Sequence, residues 1–291
     1  ILPKKSYEIK ETVKRDDHIA AAFQGVHGAY SEMAVYNYYG KEIGYPIPKK
    51  SFRDVFDAVL DGSVQSGLIP LENSLAGSIN ENYDLLKNYP DLSITGEVKV
   101  RVSHSLIGFK GVKISDIKEV YSHPQALAQC SVFLEKNNLK PVSHYDTAGA
   151  VQDISQKKDK SKAAIGSSAA ADIYGMEILQ EAIETHPGNY TRFAVIECKD
   201  KASNKNWNKA SMVFTIKDEQ GALSKYLSIF NKYSLNMTKI ESRPVHGKPW
   251  SYTFYVDVLF NGNENDFSKI EEELISQAVD FRLLGLYQAC K

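Results

Sequence analysis

The residues with chemistry to offer fall into a few short strings. Asn189-Tyr190-Thr191-Arg192-Phe193 sets a hydroxyl, a guanidinium and an aromatic ring side by side. A guanidinium presents a planar fork of donors that matches a carboxylate. An alcohol is a weak acid, so Thr191 would act by donating a hydrogen bond or by relaying a proton through water. As a β-branched residue it also opens a strand with no function implied. Side chains alternate along a strand, so Thr191 and Arg192 face opposite ways unless the chain bends, and Arg192 either meets a ligand or supports the site from behind. Phe193 shares the Thr191 face and packs either on a ligand ring or in the core.

Two further strings offer neutral donors. Gly67-Leu68-Ile69 reads as a short buried strand and Pro70-Leu71-Glu72-Asn73-Ser74 as a polar loop at its C-terminal end. Ligands of α/β sheets bind at such ends, so Asn73 and Ser74 are candidates for anion contacts, with capping of a following helix as the alternative. Ser122, His123 and Gln125 surround a helix start at Pro124, which also suits an anion. His123 is either an acid or a capping residue.

Other chemistries find little support. Gly25 and Gly28 fall short of G-x-G-x-x-G, which argues against a nucleotide. Seven histidines form no H-x-x-x-H pair, and Cys130, Cys198 and Cys290 form no C-x-x-C, so neither a metal nor a disulfide framework is expected, and no cofactor is implied. With 35 Lys and Arg against 36 Asp and Glu, the net charge of -1 argues against nucleic acid. No run approaches the roughly 20 apolar residues of a membrane helix, and a cytoplasmic protein is expected.

These strings sit on alternating strand and helix patterns. At 291 residues, two or three folding units are expected. Residues 1–17 read as a charged tail. Ser51-Phe52-Arg53-Asp54 has capping-box spacing, and Phe52, Val55, Phe56, Val59 and Leu60 form one apolar stripe, predicting a helix. Residues 18–199 read as an α/β unit, within which the β/α alternation restarts near residue 101 and suggests a lobe crossing. Residues 200–209 read as a linker. Residues 210–291 follow the order βαββαβ, a ferredoxin-like module whose free sheet face or edge suggests self-association.

Four strings in order resemble those of the prephenate dehydratase family: Gly25 to Glu32, Pro70 to Ser78, Ser122 to Leu127 and Asn189 to Phe193. Val26-His27 and Ala29 depart from the commoner residues of the first. Gly221-Ala222-Leu223 and Glu241-Ser242-Arg243-Pro244 are similar to the two phenylalanine-binding motifs of the ACT domains in this family. The resemblance implies a type 2 periplasmic-binding-protein-like catalytic domain of two lobes, 18–100 with 180–199, and 101–179, followed by an ACT domain. It implies conversion of prephenate to phenylpyruvate and inhibition by phenylalanine. The implied sites are Thr191, Arg192 and Phe193 for catalysis, Asn73, Ser74, Ser122, His123 and Gln125 for substrate, and Gly221, Ala222, Leu223, Glu241, Ser242, Arg243 and Pro244 for phenylalanine. A homodimer or homotetramer is expected. Arogenate dehydratase and a non-catalytic amino-acid sensor are the rival readings.

Overall fold

The computed structural model describes residues 18–199, 207–245, 251–261 and 264–290. The expected tail and most of the expected linker lie outside these residues. The chain opens with β1 (Ile19–Gln24), α1 (Tyr30–Tyr39), β2 (Gly44–Lys49), α2 (Phe52–Leu60), β3 (Ser66–Asn73), β4 (Gly77–Ser78), α3 (Asn80–Asn88) and β5 (Leu92–Arg101). It continues through β6 (Ser105–Gly108), β7 (Glu119–Ser122), α4 (Pro124–Gln129), α5 (Ser131–Lys136), β8 (Lys140–Ser143), α6 (Thr147–Lys157), β9 (Lys162–Gly166), α7 (Ser168–Ile173) and β10 (Glu177–Gln180). It returns as β11 (Tyr190–Cys198) and ends with β12 (Lys209–Thr215), α8 (Ala222–Lys232), β13 (Asn236–Pro244), β14 (Tyr252–Leu259), α9 (Glu264–Gln277) and β15 (Asp280–Tyr287).

Three sheets result. The first runs β2-β1-β3-β11-β5, with β4 paired to β3, and the second runs β10-β6-β9-β7-β8. In the first, β1 is parallel to β2 and β3, whereas β11 is antiparallel to both β3 and β5. The chain therefore leaves the first lobe after β5 and returns only with β11. Helix α2 starts where the pattern places it: Ser51 and Asp54 close the reciprocal capping box, and Val55, Phe56 and Val59 are buried. β2 escapes a hydrophobicity reading because Pro46 and Pro48 interrupt it; it lies at the sheet edge, where missing donors are tolerated.

The lobes meet through close packing. A Cβ on Gly28, whose φ is +88°, would lie 2.7 Å from the Ala170 Cα of α7, so only glycine lets the α1 entry loop touch the second lobe. Ser167 Oγ seals this contact by donating to the Gly28 carbonyl at 2.6 Å.

The third sheet, β13-β14-β12-β15, is fully antiparallel. Helices α8 and α9 cover one face through Met212, Phe214, Phe230, Val256 and Phe267. Of the free face or edge expected from sequence, the face is taken by the first lobe, where Val213, Tyr255, Leu284 and Tyr287 join one core with Val55, Phe56, Leu86 and Ile94, and β13 lies at the sheet edge. A Cβ at Gly285 would collide with the Ile94 carbonyl, which explains how β15 abuts β5 so closely. Lys209 is not part of a linker. It opens β12, and its ammonium is buried against Glu97 at 2.8 Å.

Candidate active site

A cavity of about 360 Å³ lies between the two lobes. Ligand pockets begin at about this size. The first lobe contributes Tyr30, Asn73, Ser78 and Thr191 to its wall, and the second contributes His123, Gln125, Gln129 and Thr147. His104 enters from the crossing between β5 and β6. No lysine or arginine is among the described residues of its wall.

Thr191 faces this space because of its place on β11. There it pairs with Asn73 of β3 and Val100 of β5. The next pairs on the β3 side are Arg192 with Glu72 and Phe193 with Pro70, so the register slips beside a residue that has no N–H to offer. Asn73 is the pivot of the site. Its Oδ1 accepts from the backbone N–H groups of Leu75 at 3.1 Å and Ala76 at 2.9 Å. Because both of those partners are donors, the opposite edge of the amide must be the NH₂ group. That group donates to Thr191 Oγ1 at 3.0 Å and to Asn189 Oδ1 at 2.7 Å. Thr191 oxygen is thus an acceptor from Asn73, and its own proton remains to be donated to a ligand.

The polarity propagates. Asn189 Nδ2 donates to Gln129 Oε1 at 2.8 Å, and His104 Nε2 lies 2.9 Å from the same oxygen. Tyr30 packs edge-on against His104 and its hydroxyl donates to the Ser103 carbonyl. Burial lowers the pKa of His104, against the opposing pull of its bond to Gln129 and the charge of Glu184. Burial and Glu184 raise that of Tyr30, so both are neutral near pH 7.

Several expected site residues stand elsewhere. Of the two roles open to Arg192, ligand contact or support from behind, the structure favours the second, against the catalytic place the resemblance implies: its guanidinium turns to the face of β11 opposite Thr191. Its Nε bonds Glu72 at 2.7 Å and its Nη1 bonds Glu97 at 3.0 Å. Its Nη2 lies 2.8 Å from Asp257 of β14, without the alignment of a hydrogen bond. The fork is consumed by carboxylates of the protein itself. Phe193 is a core residue, 2% exposed, packed with Phe23, Leu68 and Val195. Ser122 is fully buried and donates to the Ile165 carbonyl at 2.8 Å, tying β7 to β9. Ser74 donates to the Gly188 carbonyl and accepts from the Tyr190 N–H, stapling the loop before β11 to the end of β3.

His123 and Gln125 do border the cavity, and His123 Nδ1 also caps α4 by accepting from the Gln125 N–H at 3.3 Å. Gly221 is the N-cap of α8 with φ +80°, followed by Ala222 and Leu223 in its first turn. Glu241 and Arg243 pair across the sheet with Tyr255 and Thr253, which puts them on the face away from Phe254 and the helices. There Glu241 Oε2 accepts from Ser78 Oγ at 2.8 Å, and Arg243 bonds Asp84 at 3.0 Å. Ser242 and Pro244 alternate onto the face of β13 that α8 covers, the side on which Gly221 opens that helix, so the second expected phenylalanine string is divided between the two faces of the sheet.

Sequence reading missed Tyr30, His104, Gln129 and Asn189. For Gln129 a signal existed, since it follows Gln125 by four positions and shares its helix face. His104 carries no local pattern at all.

Two α/β lobes closing on a cavity lined by neutral hydrogen-bonding side chains, Thr191 among them, are the architecture of a protein that takes a small polar ligand in its cleft. Comparison with known proteins narrows the class. The sequence profile described as prephenate dehydratase matches residues 21–201. Arogenate dehydratase/prephenate dehydratase 2, chloroplastic, of Arabidopsis thaliana is 38% identical over 303 residues, covering 99% of this chain and 78% of that one. The prephenate dehydratase of Arthrobacter aurescens, solved in complex with L-Phe, is 26% identical with a TM-score of 0.84, covering 93% and 90% of the two chains. A protein described as GqqA, a novel type of quorum quenching acylase, is 30% identical with a TM-score of 0.84, covering 93% and 98%. The chain belongs to the prephenate dehydratase family, and is a lyase of that kind.

Proposed function

We propose that the cavity between the lobes converts prephenate to phenylpyruvate and that the C-terminal module is an ACT domain through which phenylalanine inhibits the reaction. Prephenate carries two carboxylates and a ring hydroxyl. The C–C bond to the ring carboxylate breaks and its electron pair enters the ring. The C–O bond to the hydroxyl breaks at the other end, releasing CO₂ and, with one proton, water. Aromaticity of the product supplies driving force, so the enzyme must mainly orient the dianion and assist the departing oxygen.

The observation that carries this reading is the Asn73 to Thr191 hydrogen bond, which leaves the threonine proton facing the cavity. An alcohol does not ionise here; it strengthens its donation as negative charge builds on the leaving oxygen. Gln125, Gln129 and His123 are the proposed carboxylate contacts. A wall whose described residues include no lysine or arginine fits a reaction that expels CO₂, because a tightly paired carboxylate would resist giving up its charge. Glu72 lies on the far face with Arg192, which spares the substrate its repulsion.

The βαββαβ order and four-stranded antiparallel sheet support the ACT reading, and the two-lobed arrangement supports a periplasmic-binding-protein-like catalytic unit. β13 is an edge strand with Met237 and Ile240 exposed, which suits a homodimer or homotetramer. The test is incubation with prephenate, with and without phenylalanine, and detection of phenylpyruvate. Formation that phenylalanine suppresses is expected; its absence above the enzyme-free rate would overturn the reading. The double description of the Arabidopsis relative makes arogenate the substrate to run beside it.

A further inference from the structure

We infer that His104 is a positioning residue for this reaction: from Nε2 it donates to Gln129 and so fixes the amide hydrogens of Gln129 as a carboxylate donor in the cavity. The argument starts from the two backbone N–H groups that lock Asn73. Their direction makes Asn189 accept at Oδ1, and hence makes its Nδ2 the donor that Gln129 receives. Gln129 must then present Oε1 to Asn189, and the His104 nitrogen 2.9 Å from that oxygen has to carry hydrogen. Nε2 therefore carries the hydrogen, and because burial favours the neutral ring, Nδ1 is a lone pair 3.1 Å from the Tyr30 hydroxyl, whose one proton is shared between it and the Ser103 carbonyl.

Two donors on one oxygen hold the Gln129 amide plane from both sides. Its nitrogen has no protein partner among the described residues and is not among their buried, unpartnered atoms, while the side chain lines the cavity. The N–H₂ group is what a ligand meets. Without His104 one of the two restraints goes, and Gln129 gains freedom to present its oxygen, which repels a carboxylate. The ring itself is held on all sides: 2% exposed, edge-on to Tyr30, its backbone N–H bonded to Glu184 Oε2 at 2.8 Å. Burial favours the neutral ring that this tautomer requires.

The inference rests on the reading that prephenate carboxylates occupy the cavity, and its test separates the two. Nitrogen-15 NMR of the ligand-free wild-type protein at pH 7 reads the tautomer without any substrate. Nε2 protonated and Nδ1 bare is expected; the Nδ1–H tautomer, which leaves Nε2 nothing to donate, would overturn the inference while leaving prephenate turnover untouched. Kinetics then test the role. His104→Leu is expected to raise KM for prephenate about tenfold with kcat within about threefold, since a carboxylate contact serves ground and transition states alike. His104→Gln, which can still donate to Gln129, is expected to restore KM to within about threefold of wild type. Equal kinetics in the two variants, or a fall in kcat at unchanged KM, would overturn the role. Should the leucine variant not fold, the NMR result stands on the native protein.

Discussion

The two faces of β11 solve opposite problems with adjacent residues. On one face Thr191 ends a chain of neutral amides, Asn73, Asn189 and Gln129, that borders a cavity. On the other, Arg192 and Lys209 are enclosed by Glu72, Glu97 and Asp257, the last from the C-terminal sheet. The neutral chain can be oriented by two backbone N–H groups because an amide has a donor end and an acceptor end. The ionic cluster has no such polarity; it stabilises the seam between first lobe and C-terminal module because each buried charge needs its partners. Catalysis takes the face with direction, and assembly takes the face with charge.

If that division holds, variants on the two faces fail differently. The largest effect is expected for Thr191→Ala, which removes the hydroxyl proton that Asn73 leaves aimed at the cavity. Turnover should fall about 10²-fold or more with KM within about threefold, measured by steady-state kinetics on prephenate. Unchanged turnover would take Thr191 out of the mechanism. Arg192→Met should instead lower stability by about 3–5 kcal/mol, because it strands buried carboxylates. Urea denaturation checks this, and the folded fraction should keep its kcat. A stable Arg192→Met protein with lost turnover would dissolve the distinction between the faces.

Acid should distinguish the faces further. Burial alone would push Glu97 up, but the charge and hydrogen bond of Lys209, with Arg192, bring it below the ordinary glutamate value of 4.5. Glu72 is likewise net lowered, burial being outweighed by Arg192 and Lys239. A carboxylate with a depressed folded pKa contributes stability that is whole above its unfolded value and lost as pH falls through the folded one. Wild-type stability is therefore expected to drop below about pH 4.5, and Lys209→Met to flatten that drop. A variant with the same acid profile would remove Glu97 and Lys209 from the cause.

How far the sequence could foresee this depended on whether the deciding partner was near in the chain. Ser51 and Asp54 lie one helical turn apart, and their capping box stood where the spacing put it. The alternation of Thr191 and Arg192 was legible, and so was the doubt it cast on Arg192. What Arg192 would pair with was not, because Asp257 belongs to another sheet and only packing brings it near. Lys209 read as linker for the same reason: a lysine among polar residues looks solvated until a buried glutamate is placed beside it. His104 had no motif, and its role exists only through Gln129 and Asn189, each on a different element. Short-range rules gave the strands and caps; the networks across them are products of the assembled fold.

The smallest expected effect concerns the place where the two faces touch. Lys239 of β13 reaches from the C-terminal sheet to Glu72 at 2.9 Å and to Ser78 Oγ at 2.7 Å. Ser78 borders the cavity and donates in turn to Glu241, while Glu72 immediately precedes Asn73. The hairpin of β3 and β4 is thus held on its charged side by the module proposed to bind phenylalanine, and on its neutral side it carries the pivot of the site. A ligand that shifts β13 would move this clamp, and a bound effector acts only through such a difference between states. Lys239→Met cuts the clamp without touching a residue assigned to substrate. Phenylalanine binding, followed by calorimetry, is expected to persist in the variant, whereas the phenylalanine concentration for half-inhibition should rise about fivefold or more, the low end of usual coupling energies. Inhibition as strong as in wild type, with binding intact, would show that β13 signals to the cavity by another route and that the two faces of β11 are independent in regulation as well as in architecture.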